Sequence, residues 1–564
     1  MSGKGAKSSI PSLTPARLLI PEAGLRAKPT VPHSGRPYVS QESGSKPTSV
    51  VRSSIVFSGM TLISRVMGFA RDVVITAAMG ASGNIAADAY ATALTFPNLF
   101  RRIFAEGAFT AAFVPAYAAT LEKDGPDAAD RLARDAMATI TLIAIILSAL
   151  AMLFMPQIMA VFSHGYADQP EKMRLTVILT QITMPYLPCM TMVALLSGVL
   201  NARGRFALSA FVPTLLNLFM LAFVWFAHDP VQAAYLASWA VLAAGVAQAG
   251  LLVWACRRTG ARIGMALPSL TPEIRGLLLL AIPGALAAAA TQINVFVSSL
   301  LASGVNGART WLSVADRLYQ LPLGLVGVAI GVALLPTLSR AVQAGDTERS
   351  QSVMDEAVVF SMALTLPAAA AIVAMPFFLI DGLYTRGEFL TYDAQETAKA
   401  LMHYGWGVPA FVLSRVLTPA FFARKDTWGP GKFAVVSVIV NLACGLSLFP
   451  VIGVSGLAIG TSAAAWVNVA LMLFTLAKRK TWVLGPKATG ALFKLLLSGA
   501  LMAAFCAACS HLRPQIVGVI ARLTPHLSKE IAVVGVCFAG LFLYIALLFA
   551  TRAVRPSDIR KALR

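Results

Sequence analysis

Blocks of about 20 apolar residues recur from residue 53 to residue 551, and they constrain the fold more than any other feature of the sequence. Each is long enough to cross roughly 30 Å of hydrocarbon at about 1.5 Å per residue. Backbone polar groups in lipid must pair within their own helix or around a closed barrel. A barrel would show segments of about ten residues with alternating polarity. This chain has none, so each block reads as a helix. Composition agrees: 57% of the 564 residues are hydrophobic and 13% are charged, against roughly 25% charged in soluble domains.

The expected fold is therefore all-α and polytopic, with about 14 transmembrane helices. The spans run approximately 53–79, 86–120, 136–163, 174–200, 206–227, 231–255, 273–303, 309–340, 355–383, 396–423, 432–450, 453–477, 488–510 and 530–551. Proline removes a backbone donor and clashes with the preceding turn. Pro97, Pro115, Pro322 and Pro336 thus mark the second and eighth spans as candidates for broken helices. Residues 1–50 are rich in Ser, Pro, Gly and Lys, lack a hydrophobic period, and read as a disordered tail. No signal-peptide pattern precedes the first span, which is expected to direct insertion itself.

The formal net charge is +20. Much of the basic surplus flanks the apolar blocks, where it sets orientation, and no nucleic-acid-reading motif accompanies it. Arg131 and Arg134, Arg203 and Arg205, Arg257, Arg258 and Arg262, Arg424 and Lys425, and Lys478, Arg479 and Lys480 fall in one set of connections. The opposite set includes MGASGNIAAD, which carries no Lys or Arg. Both termini are expected to be cytoplasmic, including the basic tail 553–564. The six cysteines sit in or beside apolar blocks and behave as small hydrophobes. Cys506 and Cys509 have C-x-x-C spacing in AAFCAACSH, without a redox context.

An internal duplication is visible. NARGRFALSAFVPTLLNL (201–218) echoes ARKDTWGPGKFAVVSVIVNL (423–442), aligning Ala202-Arg203 with Ala423-Arg424 and Asn217-Leu218 with Asn441-Leu442. The copies lie six spans apart and share an orientation, which implies parallel repeats. The expected organisation is a lobe at 51–262 (helices 1–6), a second at 263–487 (helices 7–12), and two added helices at 488–552.

Ionisable residues inside apolar spans carry the functional information. The first span holds Arg65, Arg71 and Asp72; the second holds Asp88, Arg101, Arg102 and Glu106; the eighth holds Asp316 and Arg317. Burying Arg65, Arg71, Arg102 and Arg317 at bilayer depth has a nominal insertion cost of about 10–14 kcal/mol. Such groups must face water or each other. Arg65 and Asp72, seven apart, share a helix face, and Arg102 and Glu106, four apart, are placed for a local ion pair. Asp316 adjoins Arg317 but points elsewhere on a regular helix. Salt bridges between helices are the structural alternative, yet desolvation makes buried pairs poor glue. Guanidinium forks suit bidentate phosphate binding, so an arginine-lined cavity points to an anionic substrate, with a diphosphate a good fit. No P-loop, H-E-x-x-H site or nucleophile elbow is present, and no cofactor or metal is expected.

SGMTLISRVMGFARD (58–72), DAYATALTFPNLFRRIFAEGAFTAAFVP (88–115) and ADRLYQLPLGLVGVAIGVALLP (315–336) resemble the MurJ (MviN) family of lipid II flippases, within the multidrug/oligosaccharidyl-lipid/polysaccharide exporter superfamily. The resemblance spans about residues 50–552. It implies a two-lobed carrier in a bacterial inner membrane that works by alternating access. The head group would occupy a central cavity, and a groove at helices 13–14 would take the polyprenyl tail. By motif, Arg65, Arg71 and Arg317 match family arginines required for transport, and Arg101 matches another, with Arg102 beside it. Asp72, Asp88 and Glu106 match acids implied in gating or charge balance, a role extended to Asp316. The implied partners are lipid II, membrane lipids and, functionally, peptidoglycan polymerases; nucleic acid is not among them.

Two departures stand out. Thr95 occupies a position that is Lys in many relatives. Some relatives bind Na⁺ with carboxylates on helices 7 and 11, where this chain offers Gln292, Asn294 and Asn441, so no sodium site is expected. The rival readings are an exporter of another lipid-linked glycan or a drug, and a membrane glycosyltransferase using outer-loop acids such as Asp168, Glu171, Glu388 and Asp393.

Overall fold

The computed structural model describes residues 47–102, 109–264, 266–331 and 334–553. The two tails, apart from residues 47–50 and 553, and Glu106 therefore lie outside the described residues. Residues 52–564 group as one compact unit, and residues 1–51 as another.

Every expected span falls on a helix or on two helices in succession. The first half holds α1 (Pro47–Met79), α2 (Ala86–Arg101), α3 (Phe109–Lys123), α4 (Pro126–Leu153), α5 (Met155–Phe162), α6 (Pro170–Thr183), α7 (Tyr186–Ala202), α8 (Phe206–Val224) and α9 (Pro230–Arg258). There follow α10 (Pro272–Ala302), α11 (Ala308–Gly331), α12 (Leu334–Gln343), α13 (Thr347–Ala374), α14 (Pro376–Tyr384), α15 (Thr391–Gly405), α16 (Val408–Phe422), α17 (Trp428–Ile452) and α18 (Val454–Lys478). The chain ends with α19 (Pro486–His511), α20 (Arg513–Ala521) and α21 (Ser528–Ala550). No strand occurs among the described residues. The short α20 was not expected from the sequence, because nine residues (RPQIVGVIA) between two proline-marked turns are too few for a helical period to stand out.

The helices begin where local chemistry favours it. Asp229, Thr271 and Asp346 cap α9, α10 and α13 by accepting hydrogen bonds from the backbone N–H of Gln232, Ile274 and Arg349. Proline supplies the first residue of α4, α6, α9 and α10, where a missing N–H costs nothing. Among the described residues, nine helical segments are long and apolar enough to cross a membrane. They are α4, the α6–α7 pair, α8, α9, α13, α17, α18, α19 and α21. Their outer faces are apolar rather than charged: Leu153, Phe226, Phe493 and Phe542 are all about seven-tenths exposed. In water such a surface would aggregate; in lipid it is the solvated face.

The buried side chains of α11–α16, α18, α19 and α21 form one large hydrophobic cluster, while three smaller clusters serve the helices from α1 to α10. The two sequence echoes occupy equivalent places. Arg203, just after α7, donates to the Thr259 carbonyl beyond α9 (3.3 Å), and Arg424, just after α16, donates to the Thr481 carbonyl beyond α18 (3.1 Å). Arg203 also pairs with Asp130 of α4 at 2.5 Å, and Asp130 accepts the Arg262 N–H. Asp355 of α13 likewise accepts from Trp482 and from the Gly485 N–H. These braces tie together the basic ends of the helices. All six cysteines are free thiols.

At the opposite end, turns from the two halves of the chain interlock. The Glu388 N–H donates to the Ala77 carbonyl at 2.9 Å. Gly80 and Gly387 permit this crossing: both have positive φ, and a Cβ on Gly387 would overlap the Ala77 oxygen. Gly387→Ala is expected to lower the thermal midpoint of the detergent-solubilised protein. A left-handed backbone alone costs a non-glycine residue about 1–2 kcal/mol, and the overlap adds to it. An unchanged midpoint would mean the crossing is not rigid.

Candidate functional site: an arginine-lined cavity beneath a polar clasp

The site begins with α1, whose spacing places Arg65, Gly68, Arg71 and Asp72 along one wall. A cavity of about 700 Å³ is lined by these residues together with Asn98 of α2 and Arg102 just after it, Asn217 of α8, Gln248 of α9, Arg317 and Gln320 of α11, and Arg415 of α16. An adjoining chamber of about 470 Å³ shares Asn98, Arg102, Arg317 and Gln320 and adds Gln292, Asn294, Asp316 and Tyr404. A smaller extension of about 190 Å³ runs past Arg71, Asp72, Thr95 and Tyr384 toward Gly80.

At the inner tip, Arg71 and Arg317 share one carboxylate. Arg71 Nη2 lies 2.5 Å and Nε 3.0 Å from Asp72 Oδ1, and its Nη1 donates to Asn217 Oδ1 at 3.0 Å. Arg317 Nε lies 2.7 Å from Asp72 Oδ2. That charge contact is not aligned as a hydrogen bond, so Asp72 Oδ2 keeps no donor, and the nearby Tyr384 hydroxyl is likewise buried without a partner. Two cations on one anion leave a net positive tip beside the smallest of these hollows, which Arg71, Asp72, Arg317 and Tyr384 all line.

Asp72 therefore pairs with Arg71 and Arg317, not with Arg65 as the shared face suggested. Adjacency to Arg71 and the approach of α11 outweigh the one-face spacing. Arg65 instead lays its guanidinium against Gly324 of α11, where the missing Cβ leaves room for it. Neither Arg65 nor Arg102 makes an ion pair or hydrogen bond among the described residues. Arg101 ends α2, but its side chain, like Glu106, is outside the described set, and the expected Arg102–Glu106 pairing therefore lies outside the described residues. Asp316 accepts from Gln320 and faces the adjoining chamber, turned away from the Asp72 pair.

Asp88 stands apart from the cavity. It is fully buried at the interlocked end, 3.0 Å from Lys172 Nζ of α6. It also accepts the Gly307 N–H at 2.7 Å and the Thr310 hydroxyl at 3.0 Å. Beside it, Arg309 donates to the Ser299 and Phe162 carbonyls and to the Ser163 and Thr92 hydroxyls. A second buried carboxylate, Asp393 of α15, accepts from the Ser82 N–H (3.1 Å) and hydroxyl (2.5 Å) and from Trp311 Nε1 (2.9 Å). Sequence reasoning missed Lys172, Arg309, Trp311 and Asp393 as clasp residues. They sit at helix starts where polar residues usually mean solvent, and only the fold brings them together.

Residues 75–526 match the family described as Lipid II flippase MurJ. A protein of Rhizobium meliloti (strain 1021), named a probable lipid II flippase MurJ, is 37% identical over 92% of this chain and 96% of its own length. The chain belongs to the MurJ family. A Burkholderia cenocepacia relative named lipid II flippase MurJ is 32% identical, covering 78% of this chain and 86% of its own. The fold is that of a solved MurJ in an inward closed conformation, with a TM-score of 0.71 at 23% identity over 89% of this chain and all of that one. It extends to an inward-facing MATE family multidrug transporter of the MOP superfamily, with a TM-score of 0.59 at 15% identity over 76% and 98%. Membership in this MurJ transporter family makes the chain a multi-pass membrane protein, in agreement with its apolar outer faces.

Proposed function

We propose that this protein moves lipid II from the cytoplasmic to the periplasmic leaflet of a bacterial inner membrane by alternating access, for peptidoglycan synthesis. The observation that carries the reading is a large cavity among the helices holding more guanidinium groups than carboxylates, beneath a polar seal. Residues 51–262 and 263–487 act as two lobes, and 488–552 form the lipid-tail groove. Both termini are cytoplasmic, so the interlocked end is periplasmic and the basic braces are cytoplasmic.

Arg65, Arg71 and Arg317 bind the diphosphate, and Arg101 and Arg102 line or gate the cavity. Asp72 and Asp316 balance charge, with Glu106 assigned the same role. Asp88 acts as a gate: it holds α2 and α6 to the start of α11, and these contacts must part for release to the periplasm. No covalent chemistry is required. Of the outer acids a glycosyltransferase would need, Asp393 is committed to structural hydrogen bonds. The supply of substrate to polymerases follows from delivery to the outer leaflet.

Depletion of the protein is expected to raise inner-leaflet lipid II and lyse cells. Lysis without that accumulation would overturn the reading. The fold shared with a MATE transporter favours one second reading, export of a different amphiphile; complementation of strains lacking other lipid-linked glycan exporters separates the two.

A further inference from the structure

We propose that α14 is a lever through which the C-terminal helices α20 and α21 hold the interlocked end closed, with Asp381 as the positioning residue. The inference goes beyond the transport of any one cargo; it shares with the reading above only the need for that end to open. Asp381 is the single charge in the apolar helix PFFLIDGLY, and it is 1% exposed. A carboxylate buried among apolar side chains persists where cations hold it. Two do, and both come from near the end of the chain. Arg513, the first residue of α20, pairs with Asp381 Oδ2, and Lys529 Nζ at the start of α21 lies 3.2 Å from Oδ1. The Arg513 guanidinium also lies over the Phe377 ring, 4.9 Å from its centroid.

The clamp runs the length of α14 and into the turn beyond it. Gly382 packs so close to α21 that a Cβ there would overlap Val533. Arg386, just before the crossing, reaches Glu530 of α21 at 3.0 Å. The same short segment engages α1. Tyr384 meets Phe69 edge to face at 5.9 Å and lines the smallest hollow beside Arg71, Asp72 and Arg317. Gly387 then crosses Ala77, and the Glu388 N–H donates to the Ala77 carbonyl. Between Asp381 and Glu388 the chain thus passes from a clamp on α20 and α21 to the closure on α1. A helix moves as a rigid element. When the crossing parts from α1, α14 must therefore either shear its ion pairs or carry α20 and α21 with it. Without the carboxylate, Arg513 and Lys529 would face each other unneutralised, and the lever would lose its hold.

The test is the rate at which a maleimide labels Ala81→Cys in the full-length protein in detergent, in a background whose native cysteines are replaced by alanine. Ala81 is fully buried beside the Gly80 turn. Native Cys256, fully buried near the end of α9 at the braced end, is the control when it alone is retained. Labelling of a buried thiol follows the population of the locally open state. Asp381→Asn is expected to speed labelling at position 81 about tenfold, the scale of one charge-assisted contact, and to leave Cys256 unchanged. Arg513→Lys keeps the charge and should label near the wild-type rate, whereas Arg513→Met should label fast. Glu530→Gln removes a partly exposed pair and should give about a twofold to fivefold increase; it decides the question if Asp381→Asn fails to fold. Wild-type rates at position 81 in the variants that fold would overturn the inference. Equal acceleration at both positions would overturn it too, since the clamp would then hold the whole fold rather than the closure. The assay contains no cargo, so failure of the flippase reading and failure of this inference are distinguishable.

Discussion

Alanine at Arg65 or at Arg317 is expected to leave the protein unable to restore growth to a strain depleted of its own flippase, while the variant still inserts and accumulates normally. Removing a guanidinium from bilayer depth lowers the insertion cost by about 2.5–3.5 kcal/mol per residue, so loss of function cannot be assigned to failed insertion. Arg65→Ala breaks no ion pair among the described residues; what it deletes is a cation facing the hollow. Arg317→Ala leaves Asp72 with Arg71 as its remaining partner, which turns a net positive tip neutral. A charge-assisted contact is worth about 1.5–3 kcal/mol, or roughly 10- to 150-fold in affinity. Arg65→Lys retains charge without the fork and is expected to be partly active. Immunoblotting for level and a plating assay for growth check the outcome. Full growth with both alanine variants would remove the arginines from the transport reaction.

Legibility differed between the fold and the site for a physical reason. Apolar length is a local property, so the helices could be placed from the sequence, even where a span divides into two, as at Phe154 between α4 and α5. Arginine in an apolar run is also local, which is why Arg65, Arg71, Arg102 and Arg317 could be singled out and why Arg415, in the same kind of run, could have been. Partner choice is not local. The pairing of Asp72 with Arg317 depends on how α11 leans on α1, and the four hydrogen bonds to Asp393 join residues as far apart as Ser82 and Trp311. Asp393 read as a loop acid because nothing in LTYDAQE reports that a tryptophan and a distant turn close over it. Asp88 was recognised as important, but its true partner, Lys172, lies 84 residues away.

That partnership sets up the second large effect. Asp88→Ala leaves the Lys172 ammonium, 1% exposed, with Asn306 Oδ1 and the Tyr166 ring as its remaining contacts. It also strips Gly307 and Thr310 of their acceptor at the start of α11. Removing one member of a buried pair costs about 3–5 kcal/mol, because the survivor stays desolvated and uncompensated. The variant should melt well below the wild type and fail to support growth. Stability and gating separate in the double variant Asp88→Ala with Lys172→Met, which removes both charges and fills the lysine's volume. It should regain most of the lost thermal midpoint yet remain unable to transport, since the charged link that joins α2 and α6 to the start of α11 is then gone. A cysteine at Ser303, which is 2% exposed and hydrogen-bonded to the Gly165 N–H, reports the seal directly. Membrane-impermeant maleimide should label it faster in the double variant than in the wild-type background. Growth restored together with stability would show that Asp88 and Lys172 only hold the fold and that the seal is kept by Asp393 and the Gly387 crossing.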